Sequence, residues 1–575
     1  MTKNRKSLEK YYNLWQETTI LYERWARLHG LTYNSLTVLI AVADRRRGTC
    51  TQKSICREWA LPKQTVNTIL KDFEKQGLLE LVPLEEDRRS KAIQLTERGR
   101  DFCGSTLGSL KKLELFIMEQ LDPALVDAMI GGMELFCQHR EFFSYVIPSL
   151  LAFALSGVYC IVDGFFVGNS IGDVGLTTIN IAYPVVALLQ AAGTGIGMGG
   201  AVHYSIRLAA GKREEAERYT DGTVLLLLAA SLISTLVFYL VSPSVLAALG
   251  ASGHILDLGN SYLRIIVLGS MFQIFGTGLV PLIRNMGGAF YAMMIMVAGF
   301  LTNIVLDYAF VWVLHLGVDG AALATLIGQA VTMAGGLLFF LRRGVSFHLL
   351  RSVFSSGRAG GLLGGIVKIG LSPFGITFSP NITIILMNRF LMDYGGEKAA
   401  ACYACIVYVI VIVYLLLQGV GDGCQPLISR YYGEDQAKSM KKVCSLAYLS
   451  GVLIAAACML LIFLTRYQIG GLFGASDQVR AEAGQVLPCF LISLVFLAFV
   501  RVTTSAFYAT EKTFLSYILV YAEPAFLFLL LLFLPRLAGL TGVWLSIPLA
   551  QTLTFVTALA CRLWVSSRSS GGTRG

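Results

Sequence analysis

From Phe142 onward the chain is a succession of apolar runs near 20 residues, such as 224–241 and 399–420, separated by short polar connections. A helical run of that length crosses a bilayer core, and only a helix satisfies all of its own backbone groups in lipid within one segment. Twelve runs are counted, centred near Ser156, Leu188, Ala230, Phe272, Thr302, Ala330, Phe378, Val411, Ala455, Leu494, Phe526 and Phe555. The first 140 residues hold no such run. They carry 22 Lys/Arg against 18 Asp/Glu, leaving 25 against 19 for the remainder, so charge density divides the chain near residue 140. The N-terminus has basic residues but no apolar core ahead of a small-residue cleavage site, so no cleavable signal peptide is expected and the first domain is expected in the cytosol. The 12 cysteines form no framework and read as small buried hydrophobes of a reducing compartment.

Loop charge sets the expected orientation. The even-numbered connections hold Arg207, Lys212, Arg213, Arg218, Arg284, Arg342, Arg343, Arg430, Lys438, Lys441, Lys442 and Lys512, among others, and the tail adds Arg562, Arg568 and Arg574. The odd-numbered ones hold Lys398, Arg466, Arg480 and Arg536, with Arg264 near an edge. This excess predicts both termini in the cytoplasm and a multi-pass protein of the inner membrane.

The membrane region repeats internally at an offset of about 222 residues. Gly197, Gly199, Ile206 and Gly211 fall on Gly419, Gly421, Ile428 and Gly433, and Gly317, Gly320 and Gln329 fall on Gly539, Gly542 and Gln551. Six spans in each copy keep the copies parallel, which is the plan of transporters that hold substrate between two rocking lobes. The stretches VDGFFVGNSIGDVGLTTINIAYPV (162–185), GTGIGMGGAVHYSIRLAAGKREEAERY (193–219), LTNIVLDYAFVW (301–312), GVDGAALAT (317–325) and GVGDGCQPLISRYYGE (419–434) resemble multidrug and toxic compound extrusion (MATE) transporters over essentially all of 142–565.

Ionisable residues inside lipid are costly and raise a functional hypothesis wherever they occur. Asp163 lies in the first span and Asp307 in the fifth; Asn303 shares a helix face with Asp307, and Thr325 follows small residues in the sixth. The resemblance implies that Asp163, Asn303, Asp307 and Thr325 form a cation site in the first lobe. Two carboxyls with amide and hydroxyl oxygens suit either Na⁺, held by Asp163, Asn303 and Asp307, or shared protons. Under the repeat, Asp163 falls on Asn388 and Asp307 on Leu529, so the second lobe lacks the acidic pair. The plainer alternatives are a helix cap or local ion pair for either aspartate and interhelical hydrogen bonding for Asn303 and Thr325. Asn180, Tyr183, Gln190, Gln273 and Asn388 are candidates for a substrate cavity, and Phe165 for an aromatic wall. Arg501 and Glu523, in spans ten and eleven, are expected to form an ion pair of structural or gating character.

In the N-terminal domain, TQKSICREWALPKQTVNTILKDFEKQGLLE reads as helix, turn, helix and strand, with Pro62 in the first turn of the second helix. That helix would bury Val66, Ile69, Leu70 and Phe73 and present Lys63, Gln64, Thr65, Asn67 and Thr68 to a major groove. The alternation in LLELVPLEEDRRSKAIQLTERG reads as a hairpin whose tip, Asp87 to Lys91, followed by Leu95-Thr96-Glu97-Arg98-Gly99, resembles the wing of MarR-type regulators over about 8–138. The resemblance implies DNA contact by Arg89, with Arg88 and Lys91 beside it, and a homodimer through helices of 100–138. The net charge of this domain is only +4 by the count above, so a role in ligand sensing, partner docking or dimerisation stands beside DNA binding.

The expected architecture is therefore mainly α: a winged helix-turn-helix domain (1–140), a first six-span lobe (141–355), and a second lobe with its tail (356–575). The expected function is not enzymatic. It is export of amphipathic or cationic compounds across the bilayer in exchange for Na⁺ or H⁺, without a cofactor; no G-x-x-x-x-G-K-[ST] nucleotide loop is present, which argues against ATP-driven export. The alternatives are a membrane-tethered regulator with a transporter-like sensor and a flippase for lipid-linked precursors.

Overall fold

A computed structural model of the protein describes residues 3–44, 50–83, 91–345, 353, 359–472 and 477–571. The chain forms two compact units, Met1–Leu135 and Phe136–Gly575.

The first unit orders helices α1 (Lys3–Leu28), α2 (Tyr33–Ala43), α3 (Gln52–Glu58) and α4 (Lys63–Lys75), strands β1 (Leu79–Pro83) and β2 (Lys91–Leu95), and helix α5 (Glu97–Gln120). Its helix starts are written in the local sequence. Thr51 and Ser54 cap α3 reciprocally, side chain to backbone in both directions, and the Thr96 hydroxyl accepts from the Gly99 N–H at the start of α5. Pro62 is the N-cap of α4 and not a residue of its first turn; its ψ of 138° is extended. Val66, Ile69, Leu70 and Phe73 are buried, as the 3.6-residue period requires, against Leu36, Leu39 and Ile55. The strands pair antiparallel from Leu79–Leu95 to Pro83–Lys91. Cys103 lies in the same core, where burial pushes its thiol up to about 11.

The second unit is helical. Helix α6 (Pro123–Ile171) leads into it, followed by α7 (Asp173–Ala209), α8 (Arg213–Ala248), α9 (Gly253–Leu268), α10 (Ser270–Asn285), α11 (Ala289–Asp307), a π-helical turn (Tyr308–Val313) and α12 (Gly317–Arg342). Then come α13 (Ala359–Gly433), α14 (Ala437–Leu472), α15 (Asp477–Leu491), α16 (Ser493–Ala509) and α17 (Thr513–Gly571). At 75 residues α13 would run about 110 Å if straight, more than three bilayer cores. Gly396, at φ 65° and ψ −164°, breaks it in two, and Gly539, at φ 57° and ψ −137°, breaks α17 likewise. The α9–α10 and α15–α16 pairs are each one span, bent by 55° and 47°. With these breaks and pairings the described spans number twelve.

Backbone conformation repeats along with sequence. Left-handed Gly172 and Gly317 in the first half correspond to left-handed Gly396 and Gly539 in the second, and left-handed Gly287 corresponds to Glu511, which holds φ 58° without being glycine. The bent spans match as well. Each lobe has its own apolar core, around Leu227, Leu263 and Phe340 in one and Met387, Leu487 and Leu531 in the other. A third core joins them, with Phe142, Met198 and Val202 meeting Ile369, Val420 and Leu427.

Candidate functional site

The fifth and sixth spans approach closely because glycines face each other. A Cβ on Gly328 would stand 2.8 Å from the Gly299 carbonyl oxygen and 3.0 Å from Asn303 Cβ. That contact sets Asn303 beside Thr325. With its amide placed so that each atom meets a complementary partner, Asn303 Nδ2 donates to Asp307 Oδ2 at 2.9 Å and its Oδ1 accepts from the Thr325 backbone N–H at 2.9 Å. Asp307 is fully buried at the junction between α11 and the π-helical turn, and its Oδ1 has no hydrogen-bond partner.

Asp163 reaches this group from α6. The Ser170 hydroxyl donates to the Val311 carbonyl at 2.8 Å, and Phe165 and Phe166 pack on Trp312 with ring centroids 6.3 and 6.0 Å apart, tying the end of α6 to the π-helical turn. The Asp163 and Asp307 carboxyls lie within hydrogen-bond reach of each other. Tyr262 of α9, buried and within electrostatic reach of both carboxyls, belongs to the group as well, and through it so does Tyr183. Tyr262 escaped the sequence reading because a tyrosine in an apolar run carries no sign of the carboxylates it faces. No group of three or more His, Cys, Asp and Glu side chains suited to a metal occurs among the described residues.

The structure thus brings Asp163, Asn303, Asp307 and Thr325 together, with Tyr183 at the margin. It does not gather the other cavity candidates. Gln273 is buried in the first lobe, Gln190 is half-buried, Asn180 and Asn388 are exposed, and Phe165 is exposed although packed on Trp312. The expected Arg501–Glu523 ion pair is not formed. Glu523 instead accepts from Gln551 Nε2 at 3.0 Å, while the Arg501 guanidinium lies 5.7 Å from the centre of the Tyr414 ring.

Arg284, assigned above to a polar connection, is buried in the end of α10, where it serves the seam between the lobes. Its Nη1 donates to the Asp422 carbonyl at 3.3 Å and lies 3.8 Å from Asp422 Oδ2; the Tyr508 hydroxyl donates to Asp422 Oδ1 at 3.3 Å. Beside it Asn285 and Gln425 exchange amide hydrogen bonds of 2.8 and 3.2 Å. Backbones meet across the same seam, where a Cβ on Gly195 would stand 2.8 Å from the Gly370 carbonyl oxygen. At its rim His203 Nδ1 and Arg207 Nη2 lie 3.2 and 3.8 Å from Glu511 Oε1. His203, and then Arg207 and Lys368, hold the Glu511 carboxyl below the ordinary carboxylate range against the opposing effect of burial. These contacts sit toward the connections at 210–212, 286–288 and 510–512, so the lobes are closed on that face. Asp422 was open to detection as an acid inside an apolar run; its partner lies 138 residues away and was not.

In the first unit Lys63, Gln64, Asn67 and Thr68 are exposed along α4, Thr65 is half-buried, and Lys91 is exposed at the start of β2. Gln52 Nε2 donates to the Lys63 carbonyl at 3.0 Å, fixing the turn between α3 and α4. Arg88 and Arg89 lie outside the described residues.

The sequence profile of the MatE family matches residues 148–309 and 375–529, one segment in each lobe. The chain belongs to the MatE family. It is therefore a multi-pass membrane transporter of small molecules and not an enzyme. The MarR family profile matches residues 29–90. Among curated proteins the chain is similar to multidrug export protein MepA of Staphylococcus saprophyticus, 26% identical over 415 residues that cover 72% of this chain and 91% of that one. MepA of Staphylococcus aureus strain N315 gives the same identity and coverage. Among solved structures it is similar to a MATE protein in the straight conformation (TM-score 0.69, 24% identity, 76% of this chain and 97% of that one). An outward-facing multidrug resistance MATE family transporter gives a TM-score of 0.68 with the same identity and coverage.

Proposed function

We propose that this protein exports amphipathic, often cationic compounds from the cytoplasm, driven by an inward cation gradient coupled at Asp163 and Asp307, with both termini cytoplasmic. The observation that carries this reading is the pair of adjoining carboxyls in the first lobe, steadied by Asn303 and Thr325 and without an acidic counterpart in the second. Two adjoining carboxyls are able to share a proton, which favours H⁺ as the coupling ion. Na⁺ is the second reading, supported by the oxygens of Asp163, Asn303 and Asp307 converging on one place. The names of the curated relatives support a broad substrate range.

The coupling test uses proteoliposomes loaded with a cationic dye. Asp307→Asn should abolish efflux driven by an imposed H⁺ or Na⁺ gradient while the protein stays monodisperse and folded, and unchanged efflux would sink the assignment. Running each gradient alone decides the ion.

The first unit is assigned a regulatory role, docking DNA through Lys63, Gln64, Thr65, Asn67, Thr68 and Lys91, with Arg88 and Arg89 supplied by the wing and the unit paired with that of a second copy. Its support is the exposed face of α4 and the similarity to the MarR family. Full-length protein in nanodiscs should retard its own upstream DNA in a salt-sensitive way. Retardation that survives the joint loss of Gln64 and Arg89 would reject this docking.

A further inference from the structure

The second lobe contains charges that the coupling site does not use. Spans eight, ten, eleven and twelve converge on a polar cluster made by Tyr414, Arg501, Glu523 and Gln551. One amide organises it: Gln551 Nε2 donates to Glu523 Oε1 at 3.0 Å and also to the Tyr414 hydroxyl. Arg501 lies over the face of that same tyrosine, 5.7 Å from its centre, with Nε lacking a hydrogen-bond partner. Asp422 is within electrostatic reach of Arg501 but is engaged by Arg284. An anion and a cation thus flank one aromatic ring inside the membrane region, and among the described residues neither forms an ion pair.

Charges inside a membrane protein that the fold does not pair mark a place where something else supplies the pairing. They are particular to the second lobe: at the offset of 224 set by Gly287 and Glu511, Glu523 falls on Gly299 and Arg501 on Thr277. Tyr414 is also one wall of a cavity of about 40 Å³ lined by Tyr403, Ile406, Ile410, Phe490 and Ile547. That apolar space has room for a ring edge or a short alkyl substituent and not for a whole drug-sized body.

We propose that this cluster is a second-lobe recognition site for zwitterionic aromatic solutes. The cationic nitrogen is taken by Glu523, the carboxylate by Arg501, and the ring edge packs on Tyr414 with its substituent in the adjoining cavity. The proposal rests on the export reading, but it concerns binding and not coupling, and it places the two tasks in different lobes.

The test is equilibrium binding to purified full-length protein, read by fluorescence polarisation, with two dyes that share one body. Rhodamine B carries a carboxylate and is zwitterionic at neutral pH; its ethyl ester is a cation only. Wild type should bind the acid about tenfold more tightly than the ester, the worth of one charge-assisted hydrogen bond. Arg501→Gln should erase that preference with ester binding unchanged, and Arg501→Lys should keep part of it. Glu523→Gln should weaken both dyes about tenfold. A preference for the acid that survives Arg501→Gln overturns the proposal, as does equal loss of both dyes in Arg501→Gln and Arg501→Lys, which would mark the arginine as structural. Asp307→Asn should keep the dye preference while losing gradient-driven efflux. Wild type that shows the preference but exports neither dye refutes the export reading and leaves the binding site standing.

Discussion

The buried pair Arg284–Asp422 makes a quantitative prediction about the balance between the two faces of the transporter. Arg284 is 3% exposed and Asp422 6%, and they come from different lobes, so their contact exists only while the seam is closed. Asp422→Asn keeps the shape and the neighbour of the Tyr508 hydroxyl but leaves a guanidinium buried without a counter-charge. Removing one partner of a buried pair costs about 3 to 5 kcal/mol, and the long contacts here, 3.8 and 3.3 Å, place this one near the lower end. About 3 kcal/mol corresponds to roughly a hundredfold shift in an equilibrium constant. Because the open seam exposes Arg284 to water, the whole cost falls on the closed state. The assay is a distance distribution between spin labels at exposed Arg213 and Lys438, one on each lobe of the closed face, recorded in nanodiscs. Wild type should show mainly the short distance, and Asp422→Asn mainly the long one. Arg284→Met combined with Asp422→Leu should restore the short distance, since replacing both charges removes the penalty. A distribution in Asp422→Asn indistinguishable from wild type would refute the reasoning.

Other outcomes follow from the same geometry. Gly328→Val places a branched side chain against the Gly299 carbonyl and Asn303; overpacking of this kind costs about 1–3 kcal/mol, read as a lower melting temperature, and gradient-driven efflux should fall even where the protein remains folded. Glu511→Gln removes the charge facing His203 and Arg207 while keeping the backbone, so the same label pair should shift toward the longer distance by less than in Asp422→Asn, because the Glu511 side chain is 32% exposed and its contacts are partly screened. In the first unit the Tyr22 hydroxyl donates to Glu114, and burial with this neighbouring carboxylate pushes the phenol up to about 12. Tyr22→Phe should cost about 1 kcal/mol in denaturant unfolding of that unit, and the Tyr22 phenol should resist ionisation up to pH 11 in ultraviolet titration.

Much of the architecture was legible because it rests on short-range physics. Apolar length marks a span whatever its neighbours, and the helix starts at Thr51 and Thr96 are carried by hydroxyls three residues from the amides they accept from. The periodicity of α4 exposed its buried face for the same reason. Asp163 and Asp307 could be singled out because an acid in an apolar run is costly wherever it lies, whereas Asn303 and Thr325 were joined to them by the resemblance to MATE transporters. Which groups satisfy one another was not legible. The Arg501–Glu523 pairing inferred from adjacent spans fails because Gln551 reaches Glu523 and Tyr414 takes up Arg501, a choice set by helix rotation that leaves no trace in a linear pattern. Arg284 reads as a loop cation until its position at the end of α10 turns it into the seam.

The π-helical turn after Asp307 shows the same division. Thirty residues separate left-handed Gly287 from Gly317, against 28 between Glu511 and Gly539, so the first lobe carries two extra residues in and after its fifth span. Local widening to a π-helix is one way a helix takes up such residues, and π-turns recur at functional sites. The sequence by itself marked out twelve apolar runs long enough to cross a membrane, their internal repeat, and two acids within them, because hydrophobic length and charge in lipid are local costs. Only the tertiary structure decided that those acids adjoin, that Arg284 meets Asp422 across the lobes, and that Arg501 and Glu523 remain apart, because side-chain partners depend on how distant helices rotate and approach.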